Sequence, residues 1–532
     1  MNSPNFPSRR SAVLARQGMV ATSQPLAAMA GLRILMDGGN AADAAITTAA
    51  MLNVVEPMST GIGGDCFALV YEAGSGQVTA LNGSGRAPAA FTLDQARRRG
   101  LETIPLLGPL PVTVPGAPGG WETLLDRFGT MSLADCLAPA IVTAEGGFPV
   151  SERISMGWQR SVEKLSKDEE ATRVYLPAPR VGQIHRQPDL ARTFRAVAEG
   201  GADAFYRGPL AEQIAASVQA KGGYLTAGDL AAHTTTWETP IRTTYRDVEM
   251  LEHPPNGQGL AALVALNLVE GYDLGEMDYF DPTRWHVMIE AMRMGMADAA
   301  RYVADPAVAQ VPVESLLSKA HAARRRALIR PDRAMDLVAP SQPEHRDTVY
   351  LTVVDGRGNA ISFINSLYYG FGSGVVVPGT GICLQNRGAC FRLEEGHPNV
   401  LDGGKRPYHT IIPAMALRAG RLWLSFGVMG GFMQPQGHLQ VLSNLVDYGM
   451  NPQAALDAPR FRVDERGGIE VSIETGVPLK TRKALAGMGH AVSAEATFSP
   501  GFGSGDIIAL DPESGALWGA ADPRKDGCAV GY

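Results

Sequence analysis

Residues 345–374, HRDTVYLTVVDGRGNAISFINSLYYGFGSG, carry the most specific chemical signal in the 532-residue chain. A threonine hydroxyl is a weak nucleophile unless a base stands beside it. One source of that base is the α-amine of the threonine itself, which titrates near ~8 when it is a chain terminus. For Thr348 this requires scission of the Asp347–Thr348 bond. The hydroxyl would attack the preceding carbonyl, the acyl group would shift from nitrogen to oxygen, and water would resolve the ester. A flexible connector ahead of a rigid strand is a mechanically sensible place for such a cut. Thr348 also suits a plain strand start, where threonine is common. The alternating TVYLTVVD and AISFINS, joined by DGRGN, predict a hairpin. If its strands pair symmetrically about Arg357, Ser366 faces Thr348 across it and offers a hydroxyl to the Thr348 oxygen or amine. Downstream, RLWLSFG runs into VMGGFMQPQGHLQVL, a strand–loop–helix junction. There the N–H groups of Gly430 and Gly431 suit an anion-binding nest, with an ordinary turn as the alternative.

Other chemistries lack their motifs. The chain has no GxSxG elbow, no HExxH and no GxxxxGK[ST]. His286 and Glu290 fall four apart on an expected helix, where a structural hydrogen bond or surface pair is the better reading than a metal site. GIGGD at 61–65 precedes a strand rather than opening a helix, so it predicts a tight turn and not a phosphate cradle. The five cysteines are scattered and form no CxxC pair, which argues against a zinc site or a disulfide framework. No metal or organic cofactor is implied. A net charge of −7 and a pI near 5.9 give no footprint for nucleic acid or an anionic membrane. They leave room for a small acidic substrate held by a local cluster. The N-terminal segment has no signal-peptide apolar core, and no stretch is long and charge-free enough to span a bilayer, so a cytoplasmic location is expected.

The elements that must position these residues follow from periodicity. Ser23 is expected to cap a helix through Leu26, Met29, Leu32 and Leu35 that ends at Gly38 and Gly39. AADAAITTAAMLNVV is apolar nearly all round and predicts a helix buried between layers. CFALVYEA and QVTALNG predict two strands on a Gly-Ser-Gly turn. Positions 120–340 read as mainly helical, with amphipathic segments near 189–200, 209–220 and 283–302. Positions 310–345 read as an exposed, mobile connection, with RRR at 324–326 and prolines at 331, 340 and 343. Further strands are expected at IIPAMALR, RLWLSFG and DIIALD. This order describes a layered α+β domain rather than successive Rossmann units.

Over nearly its whole length the sequence also resembles the gamma-glutamyltransferase family. GMVATSQPLAAMAGLRILMDGGNAADAAITTA is similar to its N-terminal signature, followed by VVEPMSTGIGGD. PVTVPGAPGGW, GGYLTAGDLA, LVEGYDL and ADPRKDGCAVGY are similar to later family segments. DTVYLTVVDGRGNAIS stands at the family's autocleavage site. The resemblance implies a four-layer αββα sandwich of the N-terminal-nucleophile (Ntn) hydrolases. It further implies a large chain of residues 1–347 and a small chain of residues 348–532, cut from one precursor and forming one domain. Thr348 becomes the nucleophile, Ser366 its hydroxyl neighbour, and Gly430 and Gly431 the oxyanion hole.

The departures from the family bear on substrate. Where family members carry the arginine that holds a glutamyl carboxylate, GSGRAPA has Ser84, with Arg86 two residues on, about ~7 Å along a strand. The family's acidic pair for the glutamyl amine is replaced by Ala389 and Cys390 in QNRGACF, with Arg387 nearby. A Ser-Ser pair becomes His409 and Thr410, and an asparagine beside the nucleophile becomes Tyr368. The ligand ammonium has lost its carboxylate partners, while Arg387, His409 and Arg86 supply cations and donors. A structural ion pair and a strand-edge hydrogen bond are the alternative roles for Arg387 and His409. GSGRAPA, PPNGQG, QNRG, GKRPYHTIIP and MGG-x-x-QPQ resemble the branch containing oxamate amidohydrolase. The expected reaction is therefore hydrolysis of a small carboxylate-bearing amide such as oxamate, giving oxalate and ammonia. The rivals are a glutamyl hydrolase or transpeptidase, a cephalosporin or glutaryl acylase, and an uncleaved binding protein. The segment between Phe391 and Lys405 is short for the family's lid, which leaves a more open site with room for a bulkier acyl group. A homo-oligomer of the processed unit is compatible with the sequence, which does not set the oligomeric state.

Overall fold

The computed structural model describes Ser8, residues 10–336 and residues 348–532. Helix Ala41–Val55 is the element the sequence marks most strongly, and all 15 of its residues are buried. An Asn40–Asp43 capping box starts it. It lies on strands Val349–Val354 and Ala360–Ser366, with helix Leu133–Gly146 on its far side. This is the burial on both faces that an all-round apolar helix requires.

The strands form two seven-stranded antiparallel sheets. In spatial order the first holds Cys528–Gly531, Met19–Thr22, Val349–Val354, Ala360–Ser366, Asp65–Glu72, Gln77–Gly83 and Thr236–Glu238. The second holds Val13–Ala15, Leu517–Ala521, Ser504–Leu510, Arg421–Met429, Ala414–Arg418, Val248–Glu252 and Ile241–Tyr245. Leu69 and Tyr71 of the first sheet meet Leu251, Met415, Leu417 and Ile508 of the second in a dry layer between them. Helices Gly259–Val269 and Met433–Val446 cover the second sheet's outer face, with Pro282–Tyr302 packed on the former. The result is the expected four-layer αββα arrangement.

The hairpin register is as expected: Val349 pairs with Asn365 and Val354 with Ala360, which centres the turn on Arg357. The helices expected near 189–200, 209–220 and 283–302 run Pro188–Gly200, Pro209–Ala220 and Pro282–Tyr302. Gly64 N–H donates to the Gly61 carbonyl at 3.0 Å, so GIGGD is a tight turn. The five cysteines are all free thiols.

Three expectations change. Ser23 does not cap the first helix; Gln24 accepts from Leu26 N and Ala27 N, and the Ser23 hydroxyl turns instead to Glu56, 2.6 Å away. The mainly helical middle also carries Thr236–Glu238, Ile241–Tyr245 and Val248–Glu252, which take the chain from the edge of one sheet to the edge of the other. The first two strands are half-exposed edge elements, so they lack the apolar alternation of an inner strand. Finally, the basic run at 324–326 is not a loose connection. It ends helix Lys319–Arg326, where Arg325 pairs with Asp298 and Arg326 binds the Asn267 and Leu268 carbonyls. Positions 337–345 of that expected connection lie outside the described residues.

Candidate active site

Thr348 is 1% exposed and enters the first sheet at its centre. Its Oγ1 lies 3.2 Å from Ser366 Oγ, as the hairpin register requires. Ser366 Oγ accepts from Tyr368 N–H at 2.8 Å and from Arg387 Nη2 at 3.4 Å. A serine oxygen has two acceptor positions and one hydrogen. With both positions taken, the Ser366 hydrogen points to Thr348 Oγ1. The Thr348 hydrogen is then the one that remains to be given up.

The sheets bring Gly430 to this point. Thr352 Oγ1 meets Ser425 Oγ at 2.6 Å, and the Tyr350 ring packs over Gly427. Each step from Thr352 toward Thr348 is therefore a step from Ser425 toward Met429, beyond which lie Gly430 and Gly431. Both glycines have left-handed backbone, at φ 120° and 61°, and they join strand Arg421–Met429 to helix Met433–Val446. Among the described residues, neither glycine N–H enters a turn, loop or cap hydrogen bond. Gln258 Nε2 donates to the Gly431 carbonyl at 2.9 Å and to the Thr410 carbonyl at 2.7 Å, tying this turn to the Arg387 side of the site.

Arg387 is fully buried. Its Nη1 donates to Thr410 Oγ1 at 2.7 Å, and its guanidinium lies 4.3 Å from the centre of the Tyr368 ring. No carboxylate forms an ion pair with it, and its Nε has no partner, among the described residues. Tyr368 adopts a left-handed conformation at φ 81°, which is uncommon for a bulky side chain and swings its ring across the guanidinium.

His409 joins the cluster with both nitrogens occupied. Nε2 bonds Asp65 Oδ2 at 3.0 Å, and Nδ1 accepts from Ile411 N–H at 3.3 Å. Burial first, and then Arg387, His253 and Arg406, hold its pKa well below the usual histidine value. It is therefore a neutral positioning group and not a second cation for a substrate. Arg86 is not an unpaired cation either: Nη1 pairs with Asp305 at 3.1 Å and with the Gly404 carbonyl at 3.2 Å. Asp347 lies outside the described residues.

Several participants carry no motif of their own. Lys525 Nζ donates to the Thr348 carbonyl at 2.9 Å and to Ser59 Oγ at 3.3 Å, and pairs with Glu56. Glu56 in turn accepts from Ser23. Asp65 receives Gly85 N–H, Gly116 N–H and Gln385 Nε2 on Oδ1 at 2.9–3.1 Å, while its other oxygen holds His409. The charged residues in EPMSTGIGGD and ADPRKDGC were the available signal. His286 and Glu290 belong to a separate buried network. His286 bonds His490 at 2.8 Å, while Glu290 is taken by Arg293 and Met335 N–H, and the ligand atoms of His286, Glu290 and His490 all lie within 4.8 Å of one another.

A hydroxyl pair at the start of a central strand, a two-glycine turn on the facing sheet and a buried guanidinium make up the candidate site, and the comparisons give the class of protein it belongs to. The family model described as gamma-glutamyltranspeptidase matches residues 27–532. The chain belongs to that family and is an Ntn amidohydrolase. It is 38% identical over 526 residues to the glutathione hydrolase-like YwrD proenzyme of Bacillus subtilis (strain 168), covering 98% of this chain and 99% of that one. It is 35% identical over 531 residues to the oxamate amidohydrolase proenzyme of Klebsiella pneumoniae, covering 97% and 98%. The solved cephalosporin acylase of Bacillus halodurans superposes with a TM-score of 0.93 at 46% identity, covering 100% of this chain and 99% of that one.

Proposed function

We propose that the chain cuts itself between Asp347 and Thr348 and then hydrolyses a small amide whose acyl group carries a carboxylate, with oxamate as the shortest example. The observation that carries this reading is the Thr348–Ser366–Arg387 chain: a nucleophile hydroxyl, the hydroxyl that donates to it, and behind them a buried guanidinium with no carboxylate partner among the described residues. After the cut, the Thr348 α-amine takes the hydroxyl proton and Oγ1 attacks the scissile carbonyl. The oxyanion forms against the Gly430 and Gly431 N–H groups, the amine or ammonia departs with the transferred proton, and water releases the acid. The activities named for the relatives, glutathione hydrolase-like, oxamate amidohydrolase and cephalosporin acylase, all fit this scheme.

On a denaturing gel the purified protein is expected to give two bands, the smaller beginning at Thr348 by N-terminal sequencing. Thr348→Ala is expected to stay as one band and to release no ammonia from oxamate. Cleavage of Thr348→Ala at the same bond, or turnover by intact chains, would overturn the assignment.

A further inference from the structure

Lys525 is a cation set directly on the Thr348 main chain. Its Nζ donates to the Thr348 carbonyl at 2.9 Å and to Ser59 Oγ at 3.3 Å, and it pairs with Glu56. Nitrogen and oxygen of one residue lie no more than about 4 Å apart, so Nζ stands within roughly 7 Å of the Thr348 nitrogen. In the uncut chain that nitrogen is an amide, which does not titrate near neutral pH. A cut before Thr348 makes it an amine, and the neighbouring charge then acts on its titration.

The loop that carries Lys525 is fixed from within. Arg524, fully buried, pairs with Glu474 and Asp522, and its Nη1 and Nη2 donate to the Leu456 and Ala458 carbonyls at 2.9 and 3.0 Å. Asp522 also pairs with Arg460 at 2.6 Å. Held this way, the Lys525 side chain is only 18% exposed.

Most anions that could offset its charge are committed elsewhere. Asp522 is spent on the two arginines, and Asp526 accepts from Ser151 Oγ at 2.6 Å. Asp506 pairs with Gly427, which lies against the Tyr350 ring, so its side chain turns to the same space between the sheets. Both its oxygens are buried without a partner among the described residues. Burial, and then Asp522, push its carboxyl well above the usual range, which weakens the negative charge it sets against Lys525. Glu56 remains as the counter-charge, with one oxygen given to Ser23. On the positive side stand Arg10, bound to the Ala521 and Gly527 carbonyls, and Arg387, which reaches Thr348 through Ser366. Half-buried Arg153 and exposed Arg160 line the small cavity beside Lys525.

We propose that Lys525 is a positioning residue: it fixes the Thr348 main chain, and its charge keeps the freed α-amine unprotonated near neutral pH, ready to take the hydroxyl proton. This rests on the amide-hydrolase reading above and deepens it. An ordinary chain terminus titrates near ~8 and would be mostly protonated at pH 7, unable to act as a base. A like charge nearby disfavours the protonated form and moves that titration down. The same repulsion favours passing the proton taken from Oγ1 on to the leaving amine.

The pH dependence of kcat/KM on processed protein is the test, with oxamate and the chromogenic amide glutaryl p-nitroanilide as substrates. Its acid limb reports the amine of the free enzyme. Lys525→Met should move that limb up by about one pH unit with either substrate, and Lys525→Arg should restore the wild-type position. Glu56→Gln keeps Lys525 on the Thr348 carbonyl but strips its counter-charge, so the limb should move down by about half a pH unit. This variant supplies the sign independently of Lys525→Met, which leaves Glu56 buried and unpaired and so threatens folding or the cut. A purely structural role would lower kcat/KM by one factor at every pH. A limb that stays in place in Glu56→Gln, or that moves in one direction in both charge variants, overturns the proposal. Failure of the hydrolase reading is distinct: wild-type protein stays a single chain, or Thr348→Ala still releases product.

Discussion

Thr348 and Ser366 share one hydrogen bond, and its direction matters more than its length. Tyr368 N–H and Arg387 occupy the acceptor side of Ser366 Oγ, which leaves its hydrogen for Thr348. An oxygen that receives this hydrogen carries developing negative charge more easily. Ser366→Ala removes the donor, and kcat should fall roughly tenfold to a hundredfold, as expected for a hydrogen bond to a charged group. KM should change less, because in the proposed mechanism Ser366 acts on the nucleophile and not on bound substrate. Steady-state kinetics of fully processed enzyme provide the test. Equal loss in kcat and gain in KM would instead make Ser366 a substrate contact.

At the scale of elements, helix Ala41–Val55 supports the floor of the site, because it packs beneath both strands that carry Thr348 and Ser366. Its N-terminus is tied down by Asp43, which accepts from Asn40 N–H at 2.8 Å, Thr130 N–H at 2.9 Å, Thr130 Oγ1 at 2.6 Å and Met131 N–H at 3.1 Å. Asp43→Ala loses half of the capping box and leaves half-buried donors without their acceptor, which should cost about 1–3 kcal/mol. Urea denaturation would show this as a lower midpoint. The effect should exceed that of Asp94→Ala on the short helix Leu93–Arg98, where the cap is made by Thr92.

For the molecule as a whole, histidines withdrawn from solvent shape the response to acid. His185 packs against Phe148 and Trp158, and burial pushes its pKa down to about 4. The unfolded chain therefore binds this proton near pH 6.5, before the folded one does. Stability from this group is complete above pH 6.5, falls as pH drops toward 4, and then levels off. His185→Phe should remove about one proton of uptake on unfolding near pH 5, flattening the pH dependence of the midpoint between 6.5 and 4. An unchanged slope would mean that His185 is protonated in the folded protein.

Sequence alone determined what depends on neighbours along the chain. The hairpin about Arg357 follows from its turn and alternation, and it places Ser366 opposite Thr348 because side chains on paired strands share a face. The buried helix Ala41–Val55 and the turn after Met429 follow in the same way, from an apolar surface and from paired glycines. Tertiary structure decided the remainder, because the energy of a polar group depends on what surrounds it. Arg86 and Arg387 look alike in sequence; one pairs with Asp305, and the other lies buried beneath Tyr368 without a carboxylate partner among the described residues. His409 reads as a cation until Asp65 and Ile411 occupy both its nitrogens and burial keeps it neutral. Lys525 meets the Thr348 carbonyl from 177 positions away, a contact that only the stacking of two sheets creates.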